Sequence, residues 1–175
     1  MQLRDLLPWR TFDITTCWSP EVAIVELKKR VDKGGMLFGG TGTAPFVGRV
    51  RGTSEFELRR RIRGQNAFLP NIRVVVEPWH RGGARLGVTM RLHAFVALFM
   101  AVWMTGATVG ALAVLPAIIA GNAALLPWLA FPLFGVGIVG ISFALEASKA
   151  ENLLRAIYVD APALPVAPET GRAYH

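Results

Sequence analysis

The apolar positions of this chain repeat at two periods in turn, and then the repeat disappears. Residues 11–17 alternate, with Phe12, Ile14 and Thr16 on one side and Thr11, Asp13 and Thr15 on the other, which predicts a short strand. Ser19, Pro20 and Glu21 then give a capping hydroxyl, a proline for the first turn and an acid at the positive end of a helix dipole. That helix is expected to run to about residue 32, with Ile24, Leu27 and Val31 as its buried stripe and Glu26 facing Arg30, before Gly34 and Gly35 end it. From residue 46 the period becomes two. Phe46, Gly48 and Val50 alternate with Val47, Arg49 and Arg51, and Phe56, Leu58 and Ile62 with Glu55, Glu57, Arg59, Arg61 and Arg63. Ile72, Val74 and Val76 then alternate with Arg73, Val75 and Glu77, and Leu86, Val88, Met90 and Leu92 with Arg85, Gly87, Thr89 and Arg91. Turn residues at 64–66 and 78–83 separate the runs. Four strands in series predict an antiparallel meander with one dry and one wet face, and the helix at 20–32 is its expected cover.

After Arg91 the alternation stops. Arg91 and Glu146 bracket 54 residues without one Asp, Glu, Lys or Arg. Residues 94–119 and 124–145 each exceed the ~20 needed to span a bilayer, and Gly121 and Asn122 supply a tight turn between them. A soluble protein of 19.0 kDa has too little mass to bury two such helices on every side. The second helix is expected to continue over residues 146–158, with Glu151 and Arg155 four apart and Leu154, Ile157 and Tyr158 as a stripe that docks on the soluble domain or on a neighbour. The predicted architecture is α+β: a helix-covered antiparallel β-meander (1–91), a two-helix transmembrane hairpin (92–145), a cytoplasmic helix extension (146–159) and a proline-rich, disordered tail (160–175).

Charge refines this picture. The chain carries a net charge of +7, and all its charged side chains lie outside the apolar segment. On the predicted wet face Arg49, Arg51, Arg59, Arg61, Arg63, Arg73, Arg85 and Arg91 stand against Glu55, Glu57 and Glu77, an excess of five. Such a face pairs with itself, contacts anionic lipid or takes an acidic protein. Beside a bilayer, lipid needs no further partner, and nucleic acid is not expected. His93, at the membrane entry, is expected to reach toward headgroups. Arg85 and Arg91 precede the first span and Lys149 and Arg155 follow the second, while the turn between has no basic residue, so both termini are expected in the cytoplasm. The N-terminal residues MQLRDLLPWR have no apolar core of the signal-peptide kind.

Candidate chemistry is sparse. Cys17 is the single cysteine, and His80, His93 and His175 have no metal-ligand spacing, so neither a metal nor a cofactor is expected. The GGTGT run at 39–43 lacks the lysine of a phosphate-binding loop and reads as a flexible connector. No nucleophile motif or carboxylate pair suggests an enzyme. The spans have no ionisable side chain to serve a transport path. Their small residues do recur at contact spacing: Gly106 with Gly110, Ala107 with Ala111, and Gly135, Gly137 and Gly140. These are expected to pack the hairpin's own helices for the most part, or to join copies of the chain.

Arg61 to Arg63, Asn66, Phe68 and Pro70, followed by Met90, Arg91, His93, Phe95 and Val96, form a recurring pattern: a basic strand, an Asn-x-Phe-x-Pro corner and a Met-Arg-x-His-x-Phe-Val membrane entry. In these features the chain resembles a group of uncharacterised bacterial inner-membrane proteins with a small cytoplasmic β-rich domain and a two-helix hairpin. The resemblance implies a bacterial inner-membrane location and no activity. The layout is also similar, at fold level, to bacterial pleckstrin-homology-like membrane proteins. The expectation is a non-enzymatic inner-membrane protein whose basic domain contacts anionic lipid or a protein partner. The alternatives are a structural subunit of a membrane oligomer or complex, and an immunity or defence-type membrane protein.

Overall fold

The computed structural model describes residues 8–33, 42–62, 64 and 66–159. In chain order the elements are β1 (Trp9–Thr16), α1 (Pro20–Lys29), β2 (Val31–Lys33), β3 (Phe46–Arg51), β4 (Glu55–Arg60), β5 (Asn71–Pro78), β6 (Ala84–Arg91), α2 (Ala94–Ile119) and α3 (Pro127–Val159). The strands form one mixed sheet in the order β1-β6-β5-β4-β3-β2. β3 to β6 lie side by side in chain order, each antiparallel to the next. β1 joins antiparallel to β6, and β2 joins parallel to β3.

That last pairing corrects the expected helix. α1 begins as predicted, with the Ser19 hydroxyl accepting from the Val22 amide, but it stops at Lys29. Arg30 turns out of the helix at φ −100, and its carbonyl accepts the Phe46 amide at 3.2 Å. Val31, β-branched and ill suited to a helix, then starts a strand opposite Phe46. The sheet is therefore mixed, not antiparallel throughout. Glu26 pairs with Lys29 at 2.5 Å. Most of the GGTGT connector lies outside the described residues.

Alternation holds best in the centre of the sheet, where Ile72, Val74 and Val76 of β5 and Leu86, Val88 and Met90 of β6 are buried. β3 departs from it: Phe46, Val47 and Gly48 are all buried, and Val50 is exposed. Gly48 is required there, since a Cβ would overlap the Glu57 carbonyl of β4.

The core has two helical covers. α1 supplies Ala23 and Leu27, and α3 supplies Phe143, Ala147, Ala150, Leu154 and Tyr158. The α3 residues recur at intervals of four, three, four and four, one stripe of a helix. Of the two expected docking targets for Leu154, Ile157 and Tyr158, the sheet is the one occupied. Leu154 and Tyr158 are buried, Ile157 is partly so, and the Tyr158 hydroxyl donates to the Ala23 carbonyl at 3.1 Å. α3 is continuous through the expected boundary at 145/146, and so is the core, with Phe143 on one side and Ala147 on the other.

α2 and α3 are joined through Gly121, whose φ of 101 suits glycine, and Asn122. Both helices are long and apolar enough to cross a membrane. Only 6% and 11% of their most apolar stretches are buried, which separates them from the core helices of a soluble protein.

Candidate functional site

Charge is distributed over the sheet in rows set by strand register. On the dry face, Arg10 of β1 and Arg60 of β4 enter a surface otherwise made of Phe12, Ile14, Leu58 and Phe56. Each is met by an acid of α3. Arg60 pairs with Glu146, which also holds Lys149 at 3.0 Å, and both members of the Arg60–Glu146 pair are largely shielded from solvent. Arg10 pairs with Glu151 at 2.8 Å and donates to the Ser148 hydroxyl at 3.0 Å. Arg155 holds Glu151 at 2.8 Å and lies over the Phe12 ring. A line of ion pairs thus fastens α3 along the sheet. The Glu151–Arg155 pair is expected from its spacing of four; sequence reasoning missed the roles of Arg10, Arg60 and Glu146, although Arg60 falls on the dry side of the 56, 58, 60 alternation and Glu146 is the first charge after the apolar run.

The wet face divides in two. In the rows away from α2, Arg49 and Arg51 pair with Glu57 at 2.7 and 3.0 Å, Arg73 with Glu55 at 2.8 Å, and Arg85 with Asp13 at 2.6 Å. Glu77 stands directly opposite Arg85. These rows hold four arginines and four carboxylates. Among the described residues two acids join the expected count, Asp13 because β1 pairs with β6 and Asp32 because β2 pairs with β3; Arg63 lies outside the described residues.

The other described arginines of this face gather at its α2 end. Trp9, Arg91 and Asn71 share a row; Arg59 stands opposite Val47, and Val47 opposite Asp32. Arg61 follows, continuing the ladder through its amide to the Pro45 carbonyl at 2.8 Å. Its guanidinium pairs with Asp32 at 2.6 Å and bonds the Gly42 carbonyl. Arg91 lies 4.4 Å from the centre of the Trp9 ring, and Trp9 is exposed. Burial pushes the Arg59 guanidinium down from its usual pKa, and a desolvated arginine is still a cation at neutral pH. Among the described residues, Arg59, Arg61, Arg91 and Asp32 are the charged side chains gathered on this end of the wet face. His93 is the N-cap of α2, its Nδ1 accepting the Phe95 amide at 3.2 Å.

The glycines separate as well. Gly135 packs against Trp103 and Met104 of α2, and Gly140 is buried. Gly106 and Gly110 do not meet α3: a Cβ at either would find nothing within 4 Å, and the same is true of Gly137. Gly106 and Gly110 instead line an open apolar groove of about 340 Å³ with Trp103, Ala107, Trp128 and Phe131. Among the described residues no group of three His, Cys, Asp or Glu converges.

No protein-family model, curated protein or solved structure matches the chain.

Proposed function

We propose that the chain is a two-span integral membrane protein with no catalytic role, whose sheet domain is held rigidly at the cytoplasmic surface of a bacterial inner membrane and contacts lipid there. The observation that carries this reading is the exposed apolar surface of α2 and α3, together with their direct continuation into the sheet. Phe95, Leu98, Val102, Leu112, Leu133 and Phe134 are all well exposed. Such a surface is stable against hydrocarbon and not against water. Leu92 and His93 alone separate β6 from α2, and α3 needs no linker because it is itself part of the core. Basic residues flank both spans on the sheet side, which favours a cytoplasmic sheet. A phosphatase active only outside the cytoplasm tests this orientation: inserted between Gly121 and Asn122 it should be active, and fused to the C-terminus it should be silent. Activity at the C-terminus would overturn the reading.

The open groove favours a second reading, a structural subunit of a membrane oligomer. In lipid, helices associate by close packing, and a glycine face flanked by Trp103, Trp128 and Phe131 admits a neighbouring helix. Mass measurement in nanodiscs separates the two readings, since a monomer there removes the second.

A further inference from the structure

We propose that the outer edge of β1 is a docking site for an extended acidic segment of another protein, which adds to the sheet as a further strand beside β1.

β1 ends the sheet, with β6 on one side and, among the described residues, no strand on the other. The ladder fixes which backbone groups face outward. The Leu92 amide donates to the Pro8 carbonyl at 3.1 Å, so Pro8 faces β6. Bonding alternates along an antiparallel pair, and Arg10, Phe12, Ile14 and Thr16 therefore face β6 as well. The β5 side gives the same phase. There the Trp79 amide donates to the Gly83 carbonyl at 2.7 Å, which turns Arg85, Gly87 and Thr89 toward β5 and leaves Ala84, Leu86, Val88 and Met90 to β1. Trp9, Thr11, Asp13 and Thr15 thus point their amides and carbonyls away from the sheet, and all four residues are exposed.

Open edges are normally blunted by shortness, proline, lysine or a bulge. β2, at the opposite edge, has three residues. β1 has eight, WRTFDITT, with no proline or lysine, and it pairs with β6 residue for residue without a bulge. Its threonines, aromatics and Ile14 favour extended backbone. A strand added here gains main-chain hydrogen bonds, and its alternate side chains supply specificity.

Charge selects the occupant. Over the dry side of β1, Arg10 and Arg155 share one carboxylate, Glu151, at 2.8 Å each. Both arginine side chains stay 42% exposed, whereas that of Glu151 is 12% exposed. Because β1 is outermost, these two cations border the space an added strand enters, and acids at its dry-side positions complement them. A second copy of the chain fits less well. Arg10 meets Ser148, and Phe12 meets Arg155 further up α3, so β1 follows the axis of the spanning helix. On the membrane reading above, two copies in one bilayer share a two-fold axis along the membrane normal, roughly that same direction. Antiparallel pairing of β1 with its own copy needs a two-fold axis across the strands instead. Parallel pairing about the shared axis sets identical residues level, where a parallel ladder needs an offset.

The test uses the full chain in phosphatidylcholine nanodiscs, with amide hydrogen exchange read by NMR. The probe is a short capped peptide that alternates glutamate with threonine. In the free protein the amides of Thr11, Asp13 and Thr15 should exchange fast and those of Arg10, Phe12 and Ile14 slowly. The peptide should slow the outward set at least about tenfold at low salt, and its lysine–threonine counterpart should leave that set unchanged. Thr11→Pro removes an outward donor and no bond to β6, and it should weaken peptide binding about tenfold. Arg155→Gln, on the helix surface, is the second variant; it keeps the edge and should lower the preference for glutamate over lysine severalfold. Outward amides already slow in discs holding one copy would overturn the proposal, because the chain would then cover its own edge. Slow exchange confined to discs holding two copies would make the second copy the occupant. Equal action by the two peptides, or no protection at millimolar peptide, would equally rule out an acidic strand.

Discussion

α2 and α3 are alike in apolar length and unlike in what happens when they reach the sheet. α2 touches the core with Leu92 just before it and with Val96 and Ala97 of its first turn, and beyond these it is almost entirely outward-facing apolar surface. α3 carries Phe143, Ala147, Ala150, Leu154 and Tyr158 into that core and Glu146 and Glu151 into ion pairs with the sheet. One helix is attached to the domain and the other is a component of it. The core therefore draws side chains from both sides of the expected boundaries at 91/92 and 145/146.

The largest effect that separates the two views is folding of the 1–91 fragment. Without α3 the sheet loses its longer cover, including Phe143 and Leu154, which are fully buried. Burying one large apolar side chain is worth roughly 1.5–3 kcal/mol, and a domain's whole stability is only about 5–15 kcal/mol. The fragment should lack cooperative unfolding by circular dichroism. A sharp thermal transition in it would show that residues 1–91 fold without α3.

A single substitution sharpens the contrast. Leu154→Ala in α3 should cost roughly 2–5 kcal/mol through the cavity it leaves. Leu112→Ala in α2, where Leu112 is 61% exposed, should cost much less. Unfolding of both variants in the same detergent compares them directly, and equal losses would mean that α3 is no more central than α2.

Next in size is the fastening at the membrane end. Arg60→Met leaves Glu146 shielded with only part of its compensation, Lys149 at 3.0 Å. The loss should be about 2 kcal/mol, below the roughly 3–5 kcal/mol of a fully orphaned buried charge. Arg60→Met/Glu146→Met should recover most of it, because apolar replacements of a buried pair are often neutral. Additive losses in the double variant would mean that the two side chains act independently.

The parts legible in the sequence are those with a local signal. The long helices follow from 54 residues without a formal charge, and the central strands from alternation within each run. Parallel pairing of Val31 with Phe46 leaves no such mark, because it depends on a partner fifteen residues away. The Arg60–Glu146 pair joins positions 86 residues apart. The wet-face count erred for the same reason. Asp13 and Asp32 are unremarkable in sequence and become neighbours of arginines only through β1 and β2.

The smallest expected effect on the isolated chain is the one that separates the two functional readings. Sequence spacing leaves it open whether Gly106 and Gly110 pack the chain's own helices or another copy, and the side-chain geometry narrows that choice. Nothing lies within 4 Å of a Cβ at either position, whereas a Cβ at Gly135 would collide with Trp103 and Met104. Gly106→Ile/Gly110→Ile should therefore leave the monomer's unfolding temperature nearly unchanged, because the added methylenes enter the open groove and stay apolar enough for hydrocarbon. Gly135→Ile should be clearly destabilising, by roughly 1–3 kcal/mol, since it overpacks the contact between α2 and α3. Mass in nanodiscs then gives the decisive reading. If a second copy sits in the groove, the double isoleucine variant should shift wild-type oligomers to monomers at unchanged stability, because packing is what holds helices together in lipid. A variant that loses stability as Gly135→Ile does would mean that α3 closes over the groove and that Gly106 and Gly110 serve the chain's own fold.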